Sequence, residues 1–75
     1  MMEIVKLKNG LRFVVLSKLE LDGEKYMYLT SYDEDANYIF VRVDGKKLEP
    51  IVDGEIISRL ADLIVEKYKK EVNQW

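Results

Sequence analysis

The fold of this chain depends on one stretch, LRFVVLSKLELDGEKYMYLTSY, which occupies residues 11–32. In it, two runs rich in aliphatic and aromatic residues flank Asp22 and Gly23. Such runs suit a pleated, half-buried surface, and Asp-Gly supplies the positive φ angles that a type I′ turn requires. The stretch therefore predicts an antiparallel β-hairpin.

Alternation in the first run predicts an inner and an outer strand face. The inner face would hold Leu11, Phe13, Val15, Leu19 and Leu21. Val14 and Leu16 add apolar groups to the outer face, which predicts either a β-bulge near Ser17 or cover from another element. In the second run, the set that includes Tyr26 and the set that includes Met27 are both suited to burial, so the sequence leaves that choice open.

The hairpin is preceded by a short strand and followed by a polar loop. Residues 3–8 predict the strand, and Asn9-Gly10 predicts that it pairs with the next one. Residues 33–37 contain turn formers and no apolar residue larger than alanine, so they end the third strand.

Two further strands are predicted before the helix. Residues 38–43, YIFVRV, form a continuous β-prone run, and Asp44-Gly45 marks a tight turn after it. Residues 46–52 predict a fifth, edge strand, because Pro50 is tolerated only where the ladder needs no N–H donor.

The last segment changes its apolar period from two to 3.6 and predicts an amphipathic helix over residues 54–75. Asp53 is placed to cap it. Its main apolar arc holds Ile57, Leu60, Ala61, Ile64, Val65, Tyr68, Val72 and Trp75. We expect this arc to lie on the sheet formed by residues 1–53. The predicted fold class is α+β, a single domain with a four- to five-stranded antiparallel meander sheet and one C-terminal amphipathic helix packed on one face.

Composition excludes several kinds of site. The 75 residues include no cysteine and no histidine, so disulfides, thiolate metal sites and imidazole chemistry are absent. Twelve basic and fourteen acidic residues leave a net charge of −2, which gives no general attraction to nucleic acid or anionic lipid. Charged residues interrupt the N-terminal segment, and no apolar run reaches the roughly 18 residues of a membrane span. We therefore expect a cytoplasmic protein without membrane association or cofactor.

Neither catalysis nor metal binding is expected. No pair of carboxylates, lysines, tyrosines or hydroxyls shows an acid–base or nucleophile spacing, and there is no glycine-rich phosphate loop. Asp33, Asp35 and Asn37 have the spacing that opens a calcium loop. The sixth position of that loop requires glycine and is Tyr38 here, while the twelfth requires glutamate and is Asp44. The segment is therefore interpreted as a solvated turn.

The string VLSKLELDGEKYMYL, the acidic segment that follows it, and YIFVRVDGKKLEPIVD together resemble the YrzB-like proteins, a family of small acidic bacterial and phage proteins with a domain of unknown function. The similarity covers about residues 10–55. It implies a small cytosolic protein of bacterial or phage origin and brings no catalytic residue. A phage origin would suit a small inhibitor of a host protein.

The sequence favours a non-enzymatic protein-interaction module. Ile56 and Leu63 lie a heptad apart, beside the main apolar arc of the helix. Either a loop or a sheet edge covers them, or a partner helix or a second copy of the chain does. Trp75 is in phase with the arc and either docks on the sheet or anchors an interface. We expect an unidentified protein partner, with a homodimer as one form.

The alternative is a weak binder of single-stranded nucleic acid. The candidate residues are Tyr26, Tyr28, Phe40 and Arg42, which predict rings for base stacking and a guanidinium for phosphate on one sheet face. The net negative charge and the acidic loop make nucleic acid the second choice.

Overall fold

The computed structural model describes residues 3–33 and 37–72. In these residues the chain forms five antiparallel strands in sequential order, curved into a half-barrel, and one C-terminal helix. The elements are β1 (Ile4–Lys6), β2 (Arg12–Leu21), β3 (Glu24–Ser31), β4 (Tyr38–Asp44), β5 (Lys47–Pro50) and α1 (Gly54–Val72). The predicted α+β class is confirmed, with five strands in the meander.

The turn between β2 and β3 has the predicted form. Asp22 has φ 51° and Gly23 has φ 82°, both positive as a type I′ turn requires. Leu21 and Glu24 pair directly on either side of these two residues. This tight connection fixes the register of the two longest strands.

The β1–β2 connection is a three-residue loop rather than the two-residue turn that Asn9-Gly10 favours. The Gly10 N–H donates to the Leu7 carbonyl at 2.9 Å, and the Leu7 N–H donates to the Leu11 carbonyl at 3.0 Å. Gly10 has φ 85°, as expected where a glycine bulge follows a turn. The predicted pairing of the two strands is confirmed, with a longer loop.

The β4–β5 turn lies one residue later than predicted. Asp44 pairs with Lys47, so the two central turn residues are Gly45 and Lys46. φ is 59° at Gly45 and is not positive at Lys46, the pattern of a type II′ turn.

The predicted β-bulge lies in β2 between Val15 and Ser17. Before it, Val15 opposes Leu29, and after it, Leu19 opposes Tyr26. Since Leu29 and Tyr26 project from opposite faces of β3, so do Val15 and Leu19. The prediction that all inner-face residues of β2 share one face is therefore wrong, because the extra residue reverses the alternation.

Both faces of the sheet carry buried side chains. One face carries the buried cluster of Leu7, Phe13, Leu29 and Val41, around which the half-barrel curves. The other face carries Tyr26, which is also buried, and is crossed by α1. Both residue sets of β3 are therefore used, which answers the choice that the sequence left open.

Pro50 occupies a position where β5 loses no ladder hydrogen bond. The Ile51 N–H donates to the Phe40 carbonyl at 2.9 Å, so the adjoining Val41–Pro50 pair falls at a non-bonded position. The missing N–H therefore lies on the side away from β4, as predicted. It also obstructs the addition of another strand at this edge.

Polar contacts cap the start of α1 and link it to the β2–β3 turn. The Asp53 carboxylate accepts hydrogen bonds from the N–H groups of Glu55 and Ile56 at 2.9 and 3.4 Å, which confirms Asp53 as the cap. One turn later, Arg59 Nη1 lies 3.0 Å from Asp22 Oδ2. This ion pair ties the first half of the helix to the β2–β3 turn.

Candidate interaction surface

A groove opens where α1 crosses the bulge of β2. The bulge leaves Leu16 exposed, and the Lys67 ammonium donates a hydrogen bond to Ser17 Oγ at 3.2 Å. The groove has a volume of about 230 Å³ and is lined by Leu16, Ser17, Tyr28, Ile64, Lys67 and Tyr68. Its walls are therefore largely aliphatic and aromatic, with an ammonium group among them.

An aromatic strip extends this groove across β3 and β4. The Tyr28 ring stacks on Tyr38 with centroids 5.8 Å apart and an interplanar angle of 18°. Tyr28 also contacts Phe40, with centroids 4.7 Å apart. Tyr38 is exposed, whereas Tyr28 and Phe40 are half-buried. The strip therefore presents aromatic surface to solvent beside the helix.

The helix adds exposed apolar side chains to the same region. Tyr68 is 68% exposed and Val65 is 51% exposed, and these two residues are neighbours on the helix surface. We call the set Leu16, Tyr38, Val65 and Tyr68 the apolar flank. Leu16 and Tyr68 line the same groove, Tyr28 links that groove to Tyr38, and Val65 adjoins Tyr68 on the helix, so the four residues form one surface.

Ile56 and Leu63, the predicted interaction residues, are half-buried. Leu63 lines a cleft between α1 and β2 together with Leu19. The chain itself therefore covers much of both side chains, which corresponds to the first of the two sequence alternatives. Trp75, the third predicted residue, lies outside the described residues.

The helix docks on the sheet through only part of the predicted main arc. Leu60 is completely buried and Ile64 is half-buried, as expected. However, Val65 and Tyr68 are exposed, so the prediction that they lie on the sheet is wrong. In this orientation Arg59 contacts Asp22 and Lys67 contacts Ser17, residues that lie far apart in sequence.

The sequence contained one signal for the exposed flank. The apolar residues of α1 spread over more than half of its circumference, which is wider than the stripe that contacts one sheet. Such a spread indicates that part of the apolar surface stays uncovered. Which part it is depends on the long-range contacts, which no periodicity reveals.

The residues of the nucleic-acid alternative lie on the sheet face that α1 crosses. Tyr26 is 6% exposed and offers no ring face for stacking. Arg42 Nη2 lies 2.8 Å from Glu49 Oε2, and its Nη1 lies 3.8 Å from Glu24 Oε2. The Arg42 guanidinium is therefore already paired with carboxylates on both neighbouring strands, although binding of a phosphate would need that positive charge.

A second arginine neutralises part of the loop after β3. Arg12 donates to both carboxylate oxygens of Asp33, at 2.9 and 2.5 Å, and lies 5.1 Å from the centroid of the Tyr32 ring. Hydrogen bonding from Arg12 holds the pKa of Asp33 below its ordinary value. Asp33 therefore serves an ion pair, while Asp35 of the calcium-like spacing lies outside the described residues.

A further groove of about 450 Å³ is lined by residues of β2, β3 and β4, including Lys18, Lys25, Met27 and Val43. Lys18 Nζ is 3.0 Å from Glu3 Oε1, so its charge is already paired.

Within residues 3–33 and 37–72, no three acidic side chains come together in a way that could hold a metal ion.

Comparison of the chain with known protein families, curated proteins and solved structures found no match. The resemblance to the YrzB-like proteins therefore stays a prediction. The helix that the structure describes lacks the continuous apolar length needed to cross a bilayer.

Proposed function

We propose that this protein is a non-enzymatic protein-interaction module and that the apolar flank is its binding surface. The observation that carries the proposal is the continuity of that surface. Leu16 and Tyr68 line one groove, Tyr28 joins the groove to Tyr38, and Val65 extends the surface along α1. Continuous exposed apolar patches on small proteins commonly mark interaction sites.

The composition of the flank supports a protein partner. Tyrosines supply large contact areas with few rotatable bonds, and they are enriched in the central residues of protein interfaces. Lys67 sits at the edge of the groove and can pair with an acidic group at the rim of a partner. An apolar centre with a polar margin is the general organisation of such interfaces.

Nucleic acid is not proposed as a second function, because no observation favours it. Tyr26 is buried, Arg42 is paired with two glutamates, and the net charge is −2. The remaining rings, Tyr28 and Phe40, already contact one another in a tilted arrangement, with centroids 4.7 Å apart. Cross-strand aromatic pairs of this kind stabilise sheets without any ligand.

The experiment is affinity capture with three matched forms of the purified chain. They are the wild type, the double variant Val65→Ser/Tyr68→Ser, and the control Val52→Ser. Val52 is 92% exposed and lies outside the flank, so its replacement tests the loss of an apolar group in general. Circular dichroism should show the same fold for all three forms.

We expect the wild type and the Val52 variant to capture the same protein in equal amounts. The double variant should capture at least about tenfold less of it, and binding of the purified partner should show the same difference. Equal capture by all three forms would contradict the proposal. A captured factor that disappears after nuclease treatment would point instead to the nucleic-acid alternative.

A further inference from the structure

The exposed apolar residues of α1 follow a heptad pattern. Ala61, Val65 and Tyr68 are separated by four and three residues, and all three are exposed. This spacing matches one heptad of the seam through which two helices pack in a coiled coil. The residues that dock α1 on the sheet, such as Leu60, lie on a different stripe and remain available for that task.

The charges beside this seam distinguish one pairing from its alternatives. Asp62 and Lys69 flank the seam on the side away from Ile64, at equivalent positions of successive heptads. In an antiparallel pair such positions face each other across the interface. When Val65 packs against Tyr68 of the partner subunit, Asp62 lies beside Lys69 of the partner subunit, and two-fold symmetry creates this pair twice.

Shifting the register by one heptad removes that complementarity. In one direction Asp62 faces Asp62 of the partner subunit, and in the other Lys69 faces Lys69 of the partner subunit. A parallel pair would instead place Lys69 beside Ile64 of the partner subunit, with no opposite charge to meet it. The charges therefore favour a single antiparallel arrangement, which also opposes the two helix dipoles.

We propose that the partner on the apolar flank is a second copy of this chain, joined through antiparallel pairing of the two α1 helices. This inference rests on the proposed function and names its partner. Val65 and Tyr68 form the centre of the interface, and the Asp62–Lys69 pairs fix its register. The half-buried Ile56 and Leu63, from which the sequence predicted association, take no part in it.

The size of the seam sets the strength of the association. α1 has 19 residues and is therefore roughly 28 Å long, with only its second half contributing exposed apolar side chains. A contact of this length is smaller than the areas that strong, specific complexes usually bury. We therefore expect a weak dimer, which forms toward the upper end of a concentration range from about 1 μM to 1 mM.

The first test is the mass in solution, measured by sedimentation equilibrium of the full chain from about 1 μM to 1 mM at moderate salt. We expect a reversible change from monomer to dimer in the wild type and in Val52→Glu. Tyr68→Glu should remain monomeric throughout, because it places a carboxylate at the centre of the seam. A wild type that is monomeric at every concentration, or a Tyr68 variant that still dimerises, would overturn the inference.

A charge exchange tests the antiparallel register. Asp62→Lys and Lys69→Asp should each raise the dissociation constant by about tenfold, since each converts two attractive pairs into two repulsive ones. The double variant Asp62→Lys/Lys69→Asp should restore the wild-type dissociation constant, and these differences should shrink at high salt. Failure of the double variant to restore dimerisation would overturn the inference.

These outcomes are separable from those of the capture experiment. A strictly monomeric wild type that captures another protein through Val65 and Tyr68 would overturn the dimer and leave the interaction module standing. A wild type that neither dimerises nor captures a protein through these residues would overturn both.

Discussion

Leu60 is the helix residue on which docking of α1 most depends. Its side chain has 0% exposure, while neighbouring positions along the helix are half-buried or exposed. Leu60 does not belong to the buried cluster on the other side of the sheet. Its burial therefore belongs to a second apolar contact, the one between the helix and the sheet.

Leu60→Ala should lower the free energy of unfolding by about 2–5 kcal/mol, because it removes buried methyl groups and leaves a cavity. Urea unfolding at a protein concentration below that of dimer formation measures this loss. The control Val52→Ala removes methyl groups from a residue that is 92% exposed and should change stability by less than about 0.5 kcal/mol. Equal effects of the two substitutions would show that α1 does not dock through Leu60.

At the scale of elements, the β2–β3 hairpin depends on backbone conformation at its turn. Gly23 has φ 82°, a region that residues with a Cβ atom rarely adopt, and Asp22 beside it has φ 51°. Aspartate tolerates this region better than most residues because its short side chain can hydrogen-bond locally. The Asp-Gly pair is therefore a structural requirement of the turn.

Gly23→Ala should destabilise the protein by about 1–2 kcal/mol through backbone strain. Steric contact does not contribute, since a Cβ atom built at Gly23 meets nothing within 4 Å. Gly54 is a matched control, because a Cβ atom there is equally unobstructed and its φ is not positive. Gly54→Ala should be neutral or stabilising by up to about 1 kcal/mol. Thermal and urea unfolding measure the stability change of each variant. Gly23→Ala should lose stability and Gly54→Ala should not, so equal losses in the two variants would contradict the prediction.

Most elements could be predicted because their causes are local. The Asp22-Gly23 turn, the bulge before Ser17 and the Asp53 cap each follow from residues a few positions apart. The predicted position of the β4–β5 turn is one residue too early, because the glycine of an Asp-Gly pair can occupy either of the two central turn positions. Local chemistry therefore determined that the elements exist and limited where they begin and end.

The orientation of α1 could not be predicted from the same kind of information. It depends on contacts between residues far apart in sequence, such as the burial of Leu60 against the sheet, and it brings Arg59 to Asp22 and Lys67 to Ser17 across 37 and 50 residues. The bulge also moves Leu19 to the helix side, which changes the sheet surface that α1 meets. For these reasons the sequence left open whether the chain itself covers Ile56 and Leu63, and it placed Val65 and Tyr68 on the sheet, whereas both are exposed.

At the scale of the whole molecule, charged side chains link neighbouring parts of the sheet. Arg42 on β4 holds Glu49 on β5, and Arg12 on β2 holds Asp33 in the loop after β3. Hydrogen bonding and attraction from Arg42 hold the pKa of Glu49 below its ordinary value, with Lys47 and Lys8 adding to the effect. The Arg12 hydrogen bond does the same for the pKa of Asp33.

These lowered pKa values predict how stability depends on pH. A carboxyl whose pKa is lower in the folded chain than in the unfolded chain stabilises the fold above its unfolded pKa, and this contribution is lost as the pH falls through the folded value. Asp33 and Glu49 should therefore stabilise the protein fully at pH 7. Their contribution should begin to decline near pH 4 and disappear below their folded pKa values.

The double variant Asp33→Asn/Glu49→Gln isolates this contribution from the general repulsion among the twelve basic residues in acid. Its urea midpoint should lie below that of the wild type at pH 7, by a small amount because both carboxylates are exposed to solvent. The two midpoints should converge as the pH is lowered from about 5 to 2, since the wild-type carboxylates become neutral like their amide replacements. A difference that stays constant across this range would mean that these ion pairs do not contribute to acid stability and that loss of stability in acid comes from net charge alone.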